Sequence, residues 1–161
     1  MVTIARILPI FELSAILGCG LIAGVFFAFS TFIMPAFALL EPKQGIATMQ
    51  YINIKAINPL FMTAFFGTAI VCFSMAIYSL SNWHQSNAIY LFTGSLLYLF
   101  GTVGVTIAFN VPLNNALAIA KIENAEDIDW NEYLINWTFW NHVRTVAALI
   151  ATVLFAIAAF I

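Results

Sequence analysis

Charge is what this chain lacks: Asp, Glu, Lys and Arg together make up 7% of its 161 residues, against 63% hydrophobic. An average soluble domain carries about 25% charged residues. Five Lys and Arg with seven Asp and Glu cannot cover the outer face of a water-soluble fold of this size, so most of the surface must meet lipid. The basic residues are scattered singly and the net charge is -2, which excludes a nucleic-acid surface. Cysteine is scarce as well: Cys19 and Cys72 sit in apolar runs with no Cys or His at metal-ligand spacing. They read as buried thiols, outside any disulfide or metal role. A phosphate-cradling glycine loop, a dinucleotide fingerprint and a Ser-His-Asp set are also missing. Two histidines, His84 and His142, provide no paired axial ligands for a haem within one membrane face. The expectation is therefore no metal and no cofactor.

What is there is apolar sequence in long runs. Leu13 to Leu40, Ala56 to Trp83 and Gln85 to Ala120 contain no Asp, Glu, Lys, Arg or His. Each exceeds the ~20 residues that cross a ~30 Å hydrocarbon core as a helix. A fourth run, Thr145 to Ile161, is just long enough if its helix begins near Trp137. Arg6 ahead of the first run superficially suggests a signal peptide, but that run far outlasts an h-region of about 7 to 15 residues. The reading is a single all-α transmembrane domain, residues 1–161, an integral membrane four-helix bundle with spans at about 11–34, 58–80, 88–110 and 138–160. Pro35 sets the end of the first span and Pro112 breaks the third, leaving Leu113 to Ala120 at the interface. Asn58-Pro59 opens the second as an N-cap followed by proline at the first helical position. Small residues at Gly20, Gly24 and Ala28, and at Gly94 and Gly101, mark faces where backbones can approach closely. Lys43, Lys55 and Lys121, with Arg144, against Arg6 put the first and third connections on the cytoplasmic side.

With four spans, the end of the first, the start of the second, the end of the third and the start of the fourth share one membrane face. Ser30, Thr31, Asn58, Asn110, Asn114, Asn115, Asn141, His142, Arg144 and Thr145 all belong to those ends. The opposite face has only Glu12, Ser79, Ser81, Asn82 and His84, His84 reading as a solvated loop residue. Polar groups near lipid are costly, so a one-sided cluster suggests a cavity that uses them. On the fourth helix, Trp137, Asn141, Arg144 and Thr145 fall within one arc, with Trp140 and His142 on its edges. Each residue also has a plain reading. Trp137 and Trp140 suit an interfacial aromatic belt. The asparagines near Pro112 can satisfy freed carbonyls, and Arg144 can snorkel or pair with Glu41, Asp129 or Glu132. The glycosylation triplet Asn136-Trp137-Thr138 abuts the membrane and is incidental.

Four segments carry a resemblance to a known family: Gly24-Val25-Phe26-Phe27-Ala28-Phe29-Ser30-Thr31-Phe32, Ile57-Asn58-Pro59-Leu60-Phe61, Phe109-Asn110-Val111-Pro112-Leu113-Asn114-Asn115 and Trp137-Thr138-Phe139-Trp140-Asn141-His142-Val143-Arg144-Thr145. Together they resemble the anthrone oxygenase-like family of small four-span membrane proteins, whose bacterial members were long catalogued as a domain of unknown function. Its fungal members oxidise anthrones to anthraquinones with molecular oxygen and no recognised metal or organic cofactor. The resemblance implies a membrane monooxygenase in a bacterial cell membrane, with lipid and a small hydrophobic aromatic ligand as its partners. An anthrone is a planar phenolic ketone whose central methylene is acidic because its anion is aromatic. The chemistry needs a base, an anion stabiliser and a dry pocket. On this reading His142 is the base and Arg144 stabilises the enolate. Asn58, Asn110, Asn114, Asn115 and Asn141 line the substrate site, while Trp137 and Trp140 stack on its rings. Two other classes share the same residues: a non-enzymatic protein that binds or passes a hydrophobic ligand, and a structural subunit whose polar cluster meets another membrane protein.

Overall fold

The computed structural model describes residues 2–119 and 129–161, with side chains from residue 7 onward. Arg6, Lys121 and the first part of the acidic third connection therefore lie outside the described side chains. The described residues form five helices and no strand. Helix α1 covers residues 2–37, α2 is Pro42–Ala56, α3 is Pro59–Ser81, α4 is Ala88–Ala118 and α5 is Trp130–Phe160. Four of these, α1 from Ile7 to Phe37 and the whole of α3, α4 and α5, are long and apolar enough to cross a membrane. Leu13, Leu17 and Leu21 on α1, and Ile70, Phe73 and Ile77 on α3, point outward at spacings of three to four. Helices apolar on their outer face as well as their inner one belong in lipid.

The helices run further than proline placement predicts. Pro35 and Pro112 each lie inside a continuing helix, and each is preceded by a five-residue π-helical stretch, Phe29–Ile33 and Thr106–Asn110, ending two residues upstream. A proline clashes with the carbonyl four residues back and cannot donate to it. Widening the preceding turn by one residue relieves that clash, so the chain stays helical through both positions. The third helix thus reaches Ala118 without leaving at Asn110. The fourth begins at Trp130, where the Asp129 side chain caps the Glu132 amide at 2.8 Å.

Asn58 caps α3 as its position predicts, its Oδ1 accepting from the Phe61 amide at 3.0 Å and its Nδ2 donating to the Lys55 carbonyl at 2.9 Å. The bundle core gathers Ile22, Phe26, Phe65, Tyr98 and Phe155. Tyr98, fully buried, donates to the Phe65 carbonyl across α3 and α4 at 3.0 Å. Gly94 and Gly101 do lie where α4 packs on α5: a Cβ on Gly101 would come 2.6 Å from the Ala147 Cβ. Gly24 instead faces open space, and the tight α1–α3 crossing is at Gly18, against Thr68. Beside it the buried Cys19 and Cys72 thiols are 4.0 Å apart. Helix α2 lies across the other end of the bundle, where Ile46 and Met49 join Trp130, Leu134 and Trp137 in a second core. Gly45 permits this seating, because a Cβ there would strike the Trp130 indole.

Candidate functional site

Trp137, Asn141, Arg144 and Thr145 of α5 project into the bundle and meet partners from α1 and α4. Asn141 is fully buried. Its Nδ2 donates to the Phe26 carbonyl and to Ser30 Oγ, both at 2.7 Å. Its Oδ1 accepts from the Arg144 guanidinium, also at 2.7 Å. Arg144 is 4% exposed and donates a second bond to Thr106 Oγ1 at 3.2 Å. The guanidinium lies over the Phe26 ring at 4.1 Å and over the Trp137 ring at 5.1 Å from its centroid, so two aromatic faces stabilise the cation. Thr145 closes the set, its hydroxyl 3.2 Å from Ser30 Oγ and bonded to the Asn141 carbonyl.

A second group continues toward the α2 end of the bundle. Asn110, 1% exposed, donates to the Trp137 carbonyl at 3.1 Å. Asn114 Oδ1 accepts both the Trp137 indole N–H at 2.8 Å and the Tyr133 hydroxyl at 3.0 Å. Phe29 packs against the Trp137 ring at 5.5 Å. The cross-helix partners Ser30, Thr106 and Asn110 all lie in these π-helical stretches of α1 and α4, and Thr102 lies in a further one, Leu97–Gly104. The local widening that accommodates Pro35 and Pro112 is thus the same feature that carries the polar side chains into the bundle.

Among the buried polar atoms without a partner are Arg144 Nε and Asn110 Oδ1. Among the described residues no carboxylate pairs with Arg144; Asp129 and Glu132 are exposed at the start of α5, and Glu41 is exposed before α2. A buried cation without a counter-ion is costly in a low-dielectric interior. One unpaired donor on a cation and one unpaired acceptor are complementary to a ligand with an anionic oxygen and a hydroxyl.

The structure brings together Asn110, Asn114, Trp137, Asn141 and Arg144, and leaves out four residues expected with them. His142 is exposed, and this corrects the expected convergence of an imidazole with the guanidinium. One residue beyond Asn141 is about 100° further round the helix, enough to move the ring off the inward arc. Asn115 is exposed for the same reason relative to Asn114. Asn58 is exposed and its amide is committed to the helix cap. Trp140 sits half-buried on the flank, stacked on Phe109 with ring centres 3.6 Å apart and planes 8° apart. Sequence reasoning missed Phe26, Thr106 and Tyr133. For Tyr133 a signal existed: it lies four residues before Trp137 and eleven before Arg144, on the same helical face.

Among protein families, the one described as anthrone oxygenase matches residues 61–154. That is more than half of the chain, and it includes every α4 and α5 residue of the two polar groups. No curated protein and no solved structure matches the chain.

Proposed function

We propose, from the premise that this chain belongs to the anthrone oxygenase family, that it oxidises the activated methylene of an anthrone-like polycyclic phenolic ketone with dioxygen. The observation that carries the reading is Arg144, a buried guanidinium with an unpaired N–H and no carboxylate beside it among the described residues. Removing a proton from the methylene moves negative charge onto the ketone oxygen. A cation fixed in a dry, apolar setting stabilises that charge more than it stabilises the neutral ketone, and this difference is what accelerates a reaction. Asn110 Oδ1 accepts a phenolic hydroxyl of the same ligand, and Trp137 offers an aromatic face to its rings.

The stoichiometry closes without an outside reductant. The methylene gives up two hydrogens and four electrons; one oxygen atom of O2 becomes the new carbonyl and the other leaves as water. The protein's part is to bind the ring system, stabilise the enolate and keep water from the electron-rich carbon. Dioxygen is apolar and reaches such a site readily from lipid.

One observation favours the second reading, a membrane protein that binds such a ligand without turnover: His142, the expected base, is exposed. Oxygen uptake separates the two. Purified protein in nanodiscs, given 1,8-dihydroxyanthrone, consumes one O2 per anthrone well above the rate in buffer or with heat-denatured protein. Binding of the anthrone without faster uptake rejects the enzyme and leaves the carrier.

A further inference from the structure

Asn110, Trp137 and Arg144 are each 5% exposed or less, so a ligand reaches them only if part of the protein moves. The spans are held by the main core. Helix α2 is different: its 15 residues are too few to cross a membrane, and it covers the bundle end, where Ile46 and Met49 share a core with Trp130 and Trp137. We propose that α2 is a lid whose Gly45 half lifts from Trp130 and opens the way to Trp137 and Arg144; this rests on the reading of Arg144 as a ligand-binding cation.

The seat of α2 on the bundle is tight but incompletely bonded. A Cβ on Gly45 would come 2.6 Å from the Trp130 ring, so nothing separates the α2 backbone from the indole there. Yet Trp130 Nε1 is buried without a partner, and so is Asn53 Nδ2, two turns beyond Ile46 on α2. Each unpaired donor costs free energy in the seated position and regains a partner when interfacial water reaches it. What holds the helix down is apolar contact together with Gln50, whose Nε2 donates to the Leu117 carbonyl of α4 at 2.8 Å.

The outward side of α2 gives the lifted helix a place to go. Tyr51 and Ile54 are exposed there, with Lys43 and Lys55 exposed near the two ends. A short helix with apolar side chains outward and lysines near both ends lies in the headgroup layer. Lipid tails then take over the contacts that Ile46 and Met49 give up, so lifting costs far less than baring those side chains to water. The connections decide which end moves. Asn58, the cap of α3, also holds the Lys55 carbonyl at 2.9 Å, which pins the C-terminal end of α2. The N-terminal end follows the turn at residues 38–41, and Gly45 lies on that freer half.

Phenylglyoxal, an aromatic dicarbonyl that modifies arginine, reads access to Arg144 without any turnover. Mass spectrometry separates Arg144 from Arg6, the one other arginine of the chain. In nanodiscs, Gly45→Ala wedges α2 off the Trp130 ring and is expected to speed Arg144 modification about tenfold over wild type. Gln50→Ala removes the tie to Leu117 and speeds it about fivefold. Alkylation of Cys19 and Cys72 by N-ethylmaleimide, both thiols being buried in the main core, stays at its wild-type rate in the two variants, whereas a loosened bundle would raise it. Arg144 modification at the wild-type rate in folded Gly45→Ala protein, or a rise matched by the cysteines, overturns the lid. Should Gly45→Ala not fold, Gln50→Ala decides on the same two rates. The assay contains no anthrone, so a wild type that fails to oxidise one overturns the oxygenase reading and leaves the lid to its own result.

Discussion

Arg144 donates to the Asn141 side chain one turn before it on the same helix, at 2.7 Å, and Asn141 in turn reaches across to the Phe26 carbonyl and Ser30 of α1. A single amide thus orients the buried cation and ties the fourth span to the first. Fold and proposed chemistry meet at that amide, so their contributions can be separated by substitution.

Arg144→Met is expected to abolish turnover without lowering the melting temperature. It removes a buried charge that has no carboxylate partner among the described residues, and the relief of several kcal/mol of desolvation outweighs the ~1–3 kcal/mol of leaving Asn141 Oδ1 unpaired. Thermal unfolding in detergent, measured beside oxygen uptake, checks both halves. A marked loss of stability would show that Arg144 is chiefly a structural residue.

Asn141→Ala acts in the opposite direction. It removes one partner each from the guanidinium, the Ser30 hydroxyl and the Phe26 carbonyl, leaving Arg144 only Thr106 and Ser30 only Thr145. We expect a stability loss of at least ~2 kcal/mol, from three buried hydrogen bonds lost together. Unfolding in a denaturing detergent reads this directly, and a variant as stable as wild type contradicts the network.

How much of this was legible before the structure depends on the physical signal each residue carries. The four spans follow from hydropathy alone, because lipid imposes length and composition together. The inward arc of Trp137, Asn141 and Arg144 follows from helical periodicity. Two things were not legible. Proline normally ends a helix, so Pro35 and Pro112 placed the helix ends too early; the π-helical turns that accommodate them leave no pattern in the residue order. His142 was placed in the site by its company on an arc edge, where a step of about 100° decides between bundle and exterior. Proximity in sequence to inward-facing residues says nothing of which way the imidazole points, and the ring is exposed.

His142→Ala is accordingly expected to retain turnover within about twofold of wild type, because an exposed side chain off the inward face contributes little to transition-state binding. Asn115→Ala should behave alike. Loss of activity in the histidine variant, with normal folding, would return the imidazole to the reaction.

The two classes of glycine give a packing test. Gly101→Val drives a side chain into Ala147 of α5, where even a Cβ would be 2.6 Å from its neighbour. Such overpacking costs about 1–3 kcal/mol. Gly24→Ala meets nothing within 4 Å and should leave the melting temperature unchanged or slightly raised, since alanine is the better helix former. Equal effects at the two positions would contradict the packing of α4 on α5.

The most direct measurement is the affinity of the protein for an anthrone enolate mimic, a stable phenolate of the same ring system, in wild type and Arg144→Gln. If the buried guanidinium holds the developing anion, the wild type binds the phenolate far more tightly than its neutral methyl ether, and the Gln variant loses that preference by about two orders of magnitude. Equal affinity of both proteins for the charged and uncharged ligands would contradict the account at its centre.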